Sequence, residues 1–129
     1  MGLDYGAART GVAVTDATGT IVRPLGVVER AATEAGLGRI VDIVRREEIE
    51  HVVVGLPLTL RGERGEQVRV TEEFVLLLRA ALDVPVETYD ERFTTVLAAA
   101  DPASSAPEDA RAAAHLLEGY VQWSSTSAR

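Results

Sequence analysis

The sequence contains no cysteine and no lysine, so its 13 basic residues are all arginine. The lack of cysteine excludes disulfides, thiolate nucleophiles, cysteine-ligated zinc and iron–sulfur clusters. The lack of lysine excludes a Schiff-base mechanism and a Walker-type phosphate loop, which depends on its lysine. Serine is scarce and lies outside any strand-to-helix elbow, so we do not expect a serine hydrolase.

The sequence also has few positive charges and no long apolar run. The 13 arginines face 20 acidic residues, a net charge of −7, which is unlike the basic footprint of a general nucleic-acid binder. No stretch approaches the roughly 20 apolar residues of a membrane span. The start, MGLDY, resembles no signal peptide. We therefore expect a cytoplasmic protein without membrane contacts, whose chemistry depends on its abundant carboxylates.

Hydrophobic patterning indicates one α/β domain over residues 1–123, followed by a flexible tail, 124–129. The first thirty residues favour three strands in an antiparallel meander, with Pro24 marking an edge strand. Strands are predicted over 1–5, 11–15, 20–28, 52–54 and 84–89, and helices after Thr33 and over 70–81, 94–99 and 105–123, the last capped by Ser105. A meander followed by helix–strand alternation predicts a mixed sheet.

Carboxylates lie at three places where ligands bind in such sheets. Asp4 interrupts the apolar first strand, Asp90 and Glu91 follow the last strand, and Asp109 lies in the first turn of the last helix. Each has an ordinary structural explanation: a turn cap, a solvated loop and a favourable contact with the helix dipole. Repelling carboxylates from distant segments are tolerated together when a cation offsets their charge, so we also consider a site for Mg²⁺-like ions.

Four sequence blocks, in order, resemble the YqgF/RuvX family of the ribonuclease H-like superfamily. They are GLDYG with ARTGVAV, VVVGLPLTLRGERGEQ, DERFTT, and D–AA–LLEGYV, which together span about residues 1–121. The resemblance implies a mixed five-stranded sheet with the first three strands antiparallel and helices on both faces. It also implies a Mg²⁺- or Mn²⁺-dependent nuclease that hydrolyses phosphodiester bonds, usually in processing the precursor of 16S rRNA.

The resemblance implies roles for particular acids. Asp4, Glu91 and Asp109 match the catalytic, metal-binding carboxylates of the family, and Asp90 is the alternative ligand beside Glu91. Adjacent residues of an extended backbone point to opposite sides, so one of Asp90 and Glu91 is expected to face the site.

Gly55 ends the predicted fourth strand, either as a turn or as a place where a substrate backbone comes close.

Four arginines are candidates for substrate binding. The resemblance matches Arg9 and Arg92 to family arginines, and either side chain suits a phosphate. Arg61 and Arg64 lie in a polar loop that could contact a nucleic-acid backbone. The ordinary alternatives are a surface salt bridge for Arg9 and a solvated loop for the other pair. Segment 97–107 carries no basic residue, which predicts weakened nucleic-acid affinity.

Three functions remain open from the sequence. The first is a nuclease acting on structured RNA, and the second is a Holliday-junction resolvase acting on branched DNA. The third is a non-catalytic module that binds nucleic acid or ribosomal and processing proteins. Both a monomer and a homodimer are compatible with the sequence. His51 and His115 are expected to be non-catalytic.

Overall fold

The computed structural model describes residues 1–58, 65–91 and 106–127. Within them the elements are β1 (Gly2–Asp4), β2 (Arg9–Thr15), β3 (Val22–Glu29), α1 (Glu34–Arg46), β4 (Val52–Leu56), α2 (Glu66–Ala81), β5 (Val86–Asp90) and α3 (Glu108–Ser127). The predicted order of these elements is confirmed. The helix predicted over 94–99 and the cap at Ser105 lie outside the described residues.

The strands form one mixed sheet in the order β3-β2-β1-β4-β5. β2 pairs antiparallel with β1 and with β3, whereas β1 pairs parallel with β4, and β4 with β5. The predicted five-stranded sheet with three antiparallel strands is therefore confirmed. Pro24 lies in edge strand β3 beside a register shift, as expected for a residue without a backbone N–H. This topology gathers the carboxyl ends of β1, β4 and β5 at one end of the sheet.

The two faces of the sheet pack against different helices because alternate residues of a strand point to opposite sides. On one face, α1 and α2 cover the larger cluster, which includes Leu3, Val12, Val54, Ile40, Phe74 and Leu78. On the other face, α3 covers two smaller clusters, Ala13 with Ala113, Ala114 and Leu117, and Val53 with Tyr89 and Leu116. The expected placement of helices on both faces is confirmed.

Local side-chain contacts stabilise a turn and a helix start. Thr33 caps α1, and its hydroxyl accepts a hydrogen bond from the Gly36 N–H at 3.1 Å. The Asp16 carboxylate accepts hydrogen bonds from the Ile21 N–H and from neighbouring groups in the β2–β3 connection. Gly19 adopts a φ of 75° there, a conformation that glycine takes at little cost.

All five strands differ in their bounds from the predictions, and two of them, β2 and β4, are longer than predicted. β2 begins at Arg9 rather than at Gly11, because its first residues pair with the end of β3. β4 continues through Gly55 to Leu56, because both residues pair in parallel with β5. The interpretation of Gly55 as the end of the strand is therefore wrong. Pairing with a neighbouring strand outweighed the local tendency of glycine to interrupt a strand.

The last helix, α3, runs to Ser127, beyond its predicted end at Trp123. Serine and threonine lower helix stability by less than about 1 kcal/mol each, so a helix already formed can continue through them. In the part of the chain described here, no helix has the length and apolarity needed to cross a membrane.

Candidate active site

Acidic side chains from two strands meet at the carboxyl end of the parallel half of the sheet. Asp4 is the last residue of β1, and Glu91 directly follows β5. Between these strands lies β4, in which Gly55 is paired with Tyr89 of β5. Asp4, Gly55 and Tyr89 thus form a row across three neighbouring strands, and Glu91 lies two residues beyond Tyr89.

This row lies on the face of the sheet that α3 covers. Gly2, two residues before Asp4, packs against Leu117 of α3, and Tyr89, two residues before Glu91, packs against Leu116. Side chains two residues apart in a strand share a face, so Asp4 and Glu91 point to the same side. The same alternation assigns Asp90 to the opposite face, which agrees with the preference for Glu91 as the site residue.

Asp4 and Glu91 are joined by a hydrogen bond between their carboxyl groups. The pKa of Glu91 is raised to about 7, first by burial, then by the negative charge of Asp4 and the hydrogen bond with it, and last by the charge of Asp90. Burial also raises the pKa of Asp4, and the charge of Asp109 adds to that effect. The protonated carboxyl of Glu91 therefore donates to the Asp4 carboxylate, and the pair shares one proton near neutral pH.

Asp109 reaches the site from the first turn of α3 and interacts electrostatically with Asp4. Its Oδ2 lies 2.9 Å from Nε of Arg9, at the start of β2, in an ion pair whose side chains are 40% and 57% exposed. At this exposure water screens the ion pair, and each side chain can readily exchange its partner for another. The surface salt bridge considered for Arg9 is thus present, and it involves a site residue.

Gly11 allows the first turn of α3 to lie directly on the sheet. It is paired with Asp4 across β1 and β2, and a Cβ placed on it would overlap the backbone carbonyl of Asp109. A backbone atom cannot move aside as a side chain can, so any larger residue here would push α3 off the sheet. Gly11 therefore fixes the approach of Asp109 to Asp4.

The carboxylates at this site suit a hard divalent cation. Mg²⁺ and Mn²⁺ prefer oxygen ligands, and Mg²⁺ commonly binds one or two carboxylates together with phosphate oxygens and water. Burial, and then the charge of neighbouring carboxylates, raises the pKa values of Asp4 and Glu91, and a cation would offset that charge. Within residues 1–58, 65–91 and 106–127, however, no three His, Asp or Glu side chains are gathered closely enough to hold a metal ion. Asp4 and Glu91 bind each other, and Asp109 binds Arg9.

The structure accounts for some of the predicted site residues and leaves others untested. It brings together Asp4 and Glu91, with Asp109 and Arg9 beside them. Arg61, Arg64 and Arg92 lie outside the described residues.

The two histidines lie away from the pair of Asp4 and Glu91. His51 precedes β4, at the opposite end of that strand from Gly55, and its Nε2 lies 3.2 Å from Glu87. His115 lies in α3, and its Nδ1 lies 4.0 Å from Oε2 of Glu118. Neither contact connects them with the carboxylate pair, so the interpretation of both as non-catalytic stays in place.

Sequence reasoning missed Gly11, and it interpreted Gly55 as a turn or a close approach of substrate rather than of Glu91. Both interrupt β-branched or apolar strand residues, and glycine inside a strand often marks a close approach of other atoms. That pattern was the available signal, but it does not reveal which atoms approach. At Gly55 those atoms belong to Glu91 and Leu116, and at Gly11 they belong to the backbone of α3.

Comparisons with known proteins identify relatives of this chain. The profile of the family described as "RuvX: Holliday junction resolvase" matches residues 1–122. Curated relatives carry the name "Putative pre-16S rRNA nuclease". One from Chloroflexus aurantiacus is 45% identical over 98 residues, covering 76% of this chain and 64% of the relative. One from Anaeromyxobacter is 40% identical over 129 residues, covering 94% of each. The matched part thus spans less than two thirds of the first relative and nearly all of the second.

A solved structure of Thermus thermophilus RuvC in complex with a Holliday junction substrate is also similar. It superposes with a TM-score of 0.58 at 20% sequence identity, covering 95% of this chain and 93% of RuvC. At this identity the likeness establishes the shared ribonuclease H-like fold. The fold expected from the sequence is therefore confirmed.

Proposed function

The chain belongs to the RuvX family, and we propose that it is a nuclease that hydrolyses phosphodiester bonds with a divalent cation, Mg²⁺ or Mn²⁺. In this proposal Asp4 and Glu91 hold the cation directly, and Asp109 joins them. Asp90 is left out of the ligand set because it belongs to the other face of the sheet. A bound cation would supply Lewis-acid stabilisation of the charge that develops on the phosphate.

The observation that carries the proposal is the hydrogen-bonded pair of Asp4 and Glu91. Two carboxyl groups from separate strands are costly to hold together unless a proton or a cation lies between them. Glu91 has a pKa of about 7, so a proton fulfils that role at lower pH. Replacement of that proton by a cation keeps both oxygens in place and restores the full negative charge of the pair.

Arg9 is the residue proposed to position the substrate. Its exposed guanidinium uses Nε toward Asp109, and a guanidinium carries five N–H donors in a planar fork that matches phosphate. We propose that Arg9 exchanges its contact with Asp109 for a phosphate of the substrate, which leaves Asp109 free to complete the carboxylate group. Arg61, Arg64 and Arg92 remain proposed substrate contacts from the sequence.

The precursor of 16S rRNA is the proposed substrate, because the curated relatives are named for it. This substrate would place the protein in the cytoplasm and bring it close to ribosomal and processing proteins. A branched DNA junction is the second candidate, supported by the description of the family and by the RuvC structure with its Holliday junction. Both substrates present the same phosphodiester to the same carboxylates.

A cleavage assay tests this proposal. The purified protein is incubated with a labelled fragment of precursor 16S rRNA and, separately, with a four-way DNA junction, with Mn²⁺, with Mg²⁺ and with EDTA. We expect metal-dependent cleavage of the RNA by the wild type and by Asp42→Asn, a control in which an exposed aspartate of α1 is neutralised. We expect no cleavage by Asp4→Asn, whose amide binds a divalent cation poorly.

Three outcomes would overturn parts of the proposal. Undiminished cleavage by Asp4→Asn would refute the assigned site. Cleavage of the junction alone would favour the branched-DNA function. Binding of either nucleic acid without cleavage under any metal condition would favour the non-catalytic module.

A further inference from the structure

The two carboxyl groups of the acidic pair come from strands that are not neighbours. β4 lies between β1, which carries Asp4, and β5, which Glu91 follows. Adjacent strands are about 4.8 Å apart, so β1 and β5 are separated by roughly 10 Å. The hydrogen bond between Asp4 and Glu91 therefore requires a long side chain to pass over β4.

The passage over β4 lies at Gly55. A Cβ placed on Gly55 would lie 2.5 Å from Oε1 and 2.8 Å from Cγ of Glu91, and 2.9 Å from Cδ1 of Leu116. All three distances are shorter than carbon–carbon or carbon–oxygen contacts allow. The side chain of Glu91 thus occupies the space that a side chain at position 55 would need.

We propose that Gly55 is a positioning residue, whose missing side chain opens the path by which the Glu91 carboxyl crosses β4 to reach Asp4. Every residue other than glycine at this position separates the two carboxyl groups. The consequence for the cation rests on the proposed function: once separated, Asp4 and Glu91 no longer bind one ion together.

The atoms that surround Gly55 make this role separable from folding. Those of Glu91 belong to a half-buried side chain that can rotate away from a methyl group, and that of Leu116 is the terminal methyl group of a buried side chain. At Gly11, in contrast, the overlapping atoms belong to the backbone of α3. A Gly55→Ala variant is therefore expected to fold and to place Glu91 elsewhere. Gly26→Ala is the matched control, since Gly26 also lies in a strand, and nothing lies within 4 Å of a Cβ placed on it.

A first experiment measures the contact between Asp4 and Glu91 without metal. Asp4→Ala, Glu91→Ala and the double variant form a double-mutant cycle, whose stabilities are measured by urea unfolding in EDTA at one fixed pH. The cycle is repeated in the Gly55→Ala and Gly26→Ala backgrounds. We expect a coupling that is present in the wild type and with Gly26→Ala, and that is absent with Gly55→Ala. An equal coupling in all three backgrounds would overturn the inference.

A second experiment measures Mn²⁺ binding by isothermal titration calorimetry, with far-UV circular dichroism to confirm folding. We expect Gly55→Ala to raise the Kd for Mn²⁺ roughly 10- to 100-fold, the range seen when residues that orient metal ligands are changed. Gly26→Ala should leave the Kd unchanged. Glu91→Gln combined with Gly55→Ala should bind no more weakly than Glu91→Gln alone, because both changes act through one carboxyl group.

The two experiments separate this inference from the proposed function. An equal Kd for the wild type and Gly55→Ala overturns the role of Gly55 and leaves the proposed function standing. If the wild type does not bind Mn²⁺, the proposed function fails, and the metal-free coupling still decides whether Gly55 positions Glu91.

Discussion

Replacement of Glu91 by glutamine should flatten the pH dependence of stability in the metal-free protein. The pKa of Glu91 is raised from 4.5 to about 7 in the folded chain, so ionisation of this group favours unfolding. Its stabilising contribution is complete below about pH 4.5 and is lost as the pH rises through about 7. Glutamine does not ionise, and its amide can still donate a hydrogen bond to Asp4.

The magnitude follows from the size of the shift. A shift of this size corresponds to about 3 kcal/mol for a fully buried group. Because the carboxyl is only partly buried, solvent screening reduces the figure to about 1–2 kcal/mol. Between about pH 5 and pH 8 the wild type should therefore lose roughly 3–8 °C more in Tm than Glu91→Gln.

Thermal unfolding in EDTA, followed by circular dichroism across this pH range, measures the effect. The Met1 amino group gives an opposite slope, because burial lowers its pKa to about 6, so the difference between the two proteins is the informative quantity. Glu50→Gln, which neutralises an exposed glutamate, is the control and should follow the wild type. Parallel curves for the wild type and Glu91→Gln would refute the reasoning.

Three further variants test the packing and charge around the pair and the cap of α1. Gly11→Ala should lower the free energy of unfolding by about 1–3 kcal/mol in urea titrations, because a methyl group there meets the backbone of α3. Arg9→Gln should lower the salt dependence of RNA binding, the slope of log K against log salt, by about 1, since one phosphate contact is lost. The same variant should bind Mn²⁺ at least as tightly as the wild type in calorimetry, because Asp109 loses its cationic partner. Thr33→Ala should lower stability by about 1 kcal/mol through loss of the α1 cap and leave cleavage unchanged.

Each of these predictions has an outcome that contradicts it. Gly11→Ala with wild-type stability would mean that α3 does not depend on close contact with β2. An unchanged salt slope for Arg9→Gln would remove this arginine from the substrate interface. Reduced cleavage by Thr33→Ala would connect α1 to the site in a way that the structure does not explain.

Much of the fold could be predicted because local patterns and tertiary structure agree. Val12 and Val14 alternate with Ala13, and the structure buries the valines under α1 and α2 and the alanine under α3. Thr33 caps its helix as the sequence indicates. Where strand pairing decided the outcome, prediction failed: Gly55 stays in β4 because it is bonded to β5, a partner that is distant in sequence.

The structure brings together acids that the sequence singled out, but their contacts were not predictable. Position at strand ends pointed to Asp4 and to the adjacent Asp90 and Glu91, because the topology of such sheets brings those ends together, and the family resemblance favoured Glu91. The hydrogen bond between them depends on a crossing over Gly55, and the ion pair of Asp109 depends on the reach of Arg9. Both are contacts between segments far apart in sequence, and no local pattern specifies which side chain reaches which.

The most direct test of whether these acids hold a divalent cation is a crystal structure of the protein with Mn²⁺. The crystals are grown with Mn²⁺, and anomalous diffraction is recorded at the manganese absorption edge. We predict an anomalous peak between the carboxylates of Asp4 and Glu91, with Asp109 turned toward it and away from Arg9. An intact hydrogen bond between Asp4 and Glu91, with no anomalous peak beside it at millimolar Mn²⁺, would contradict the account.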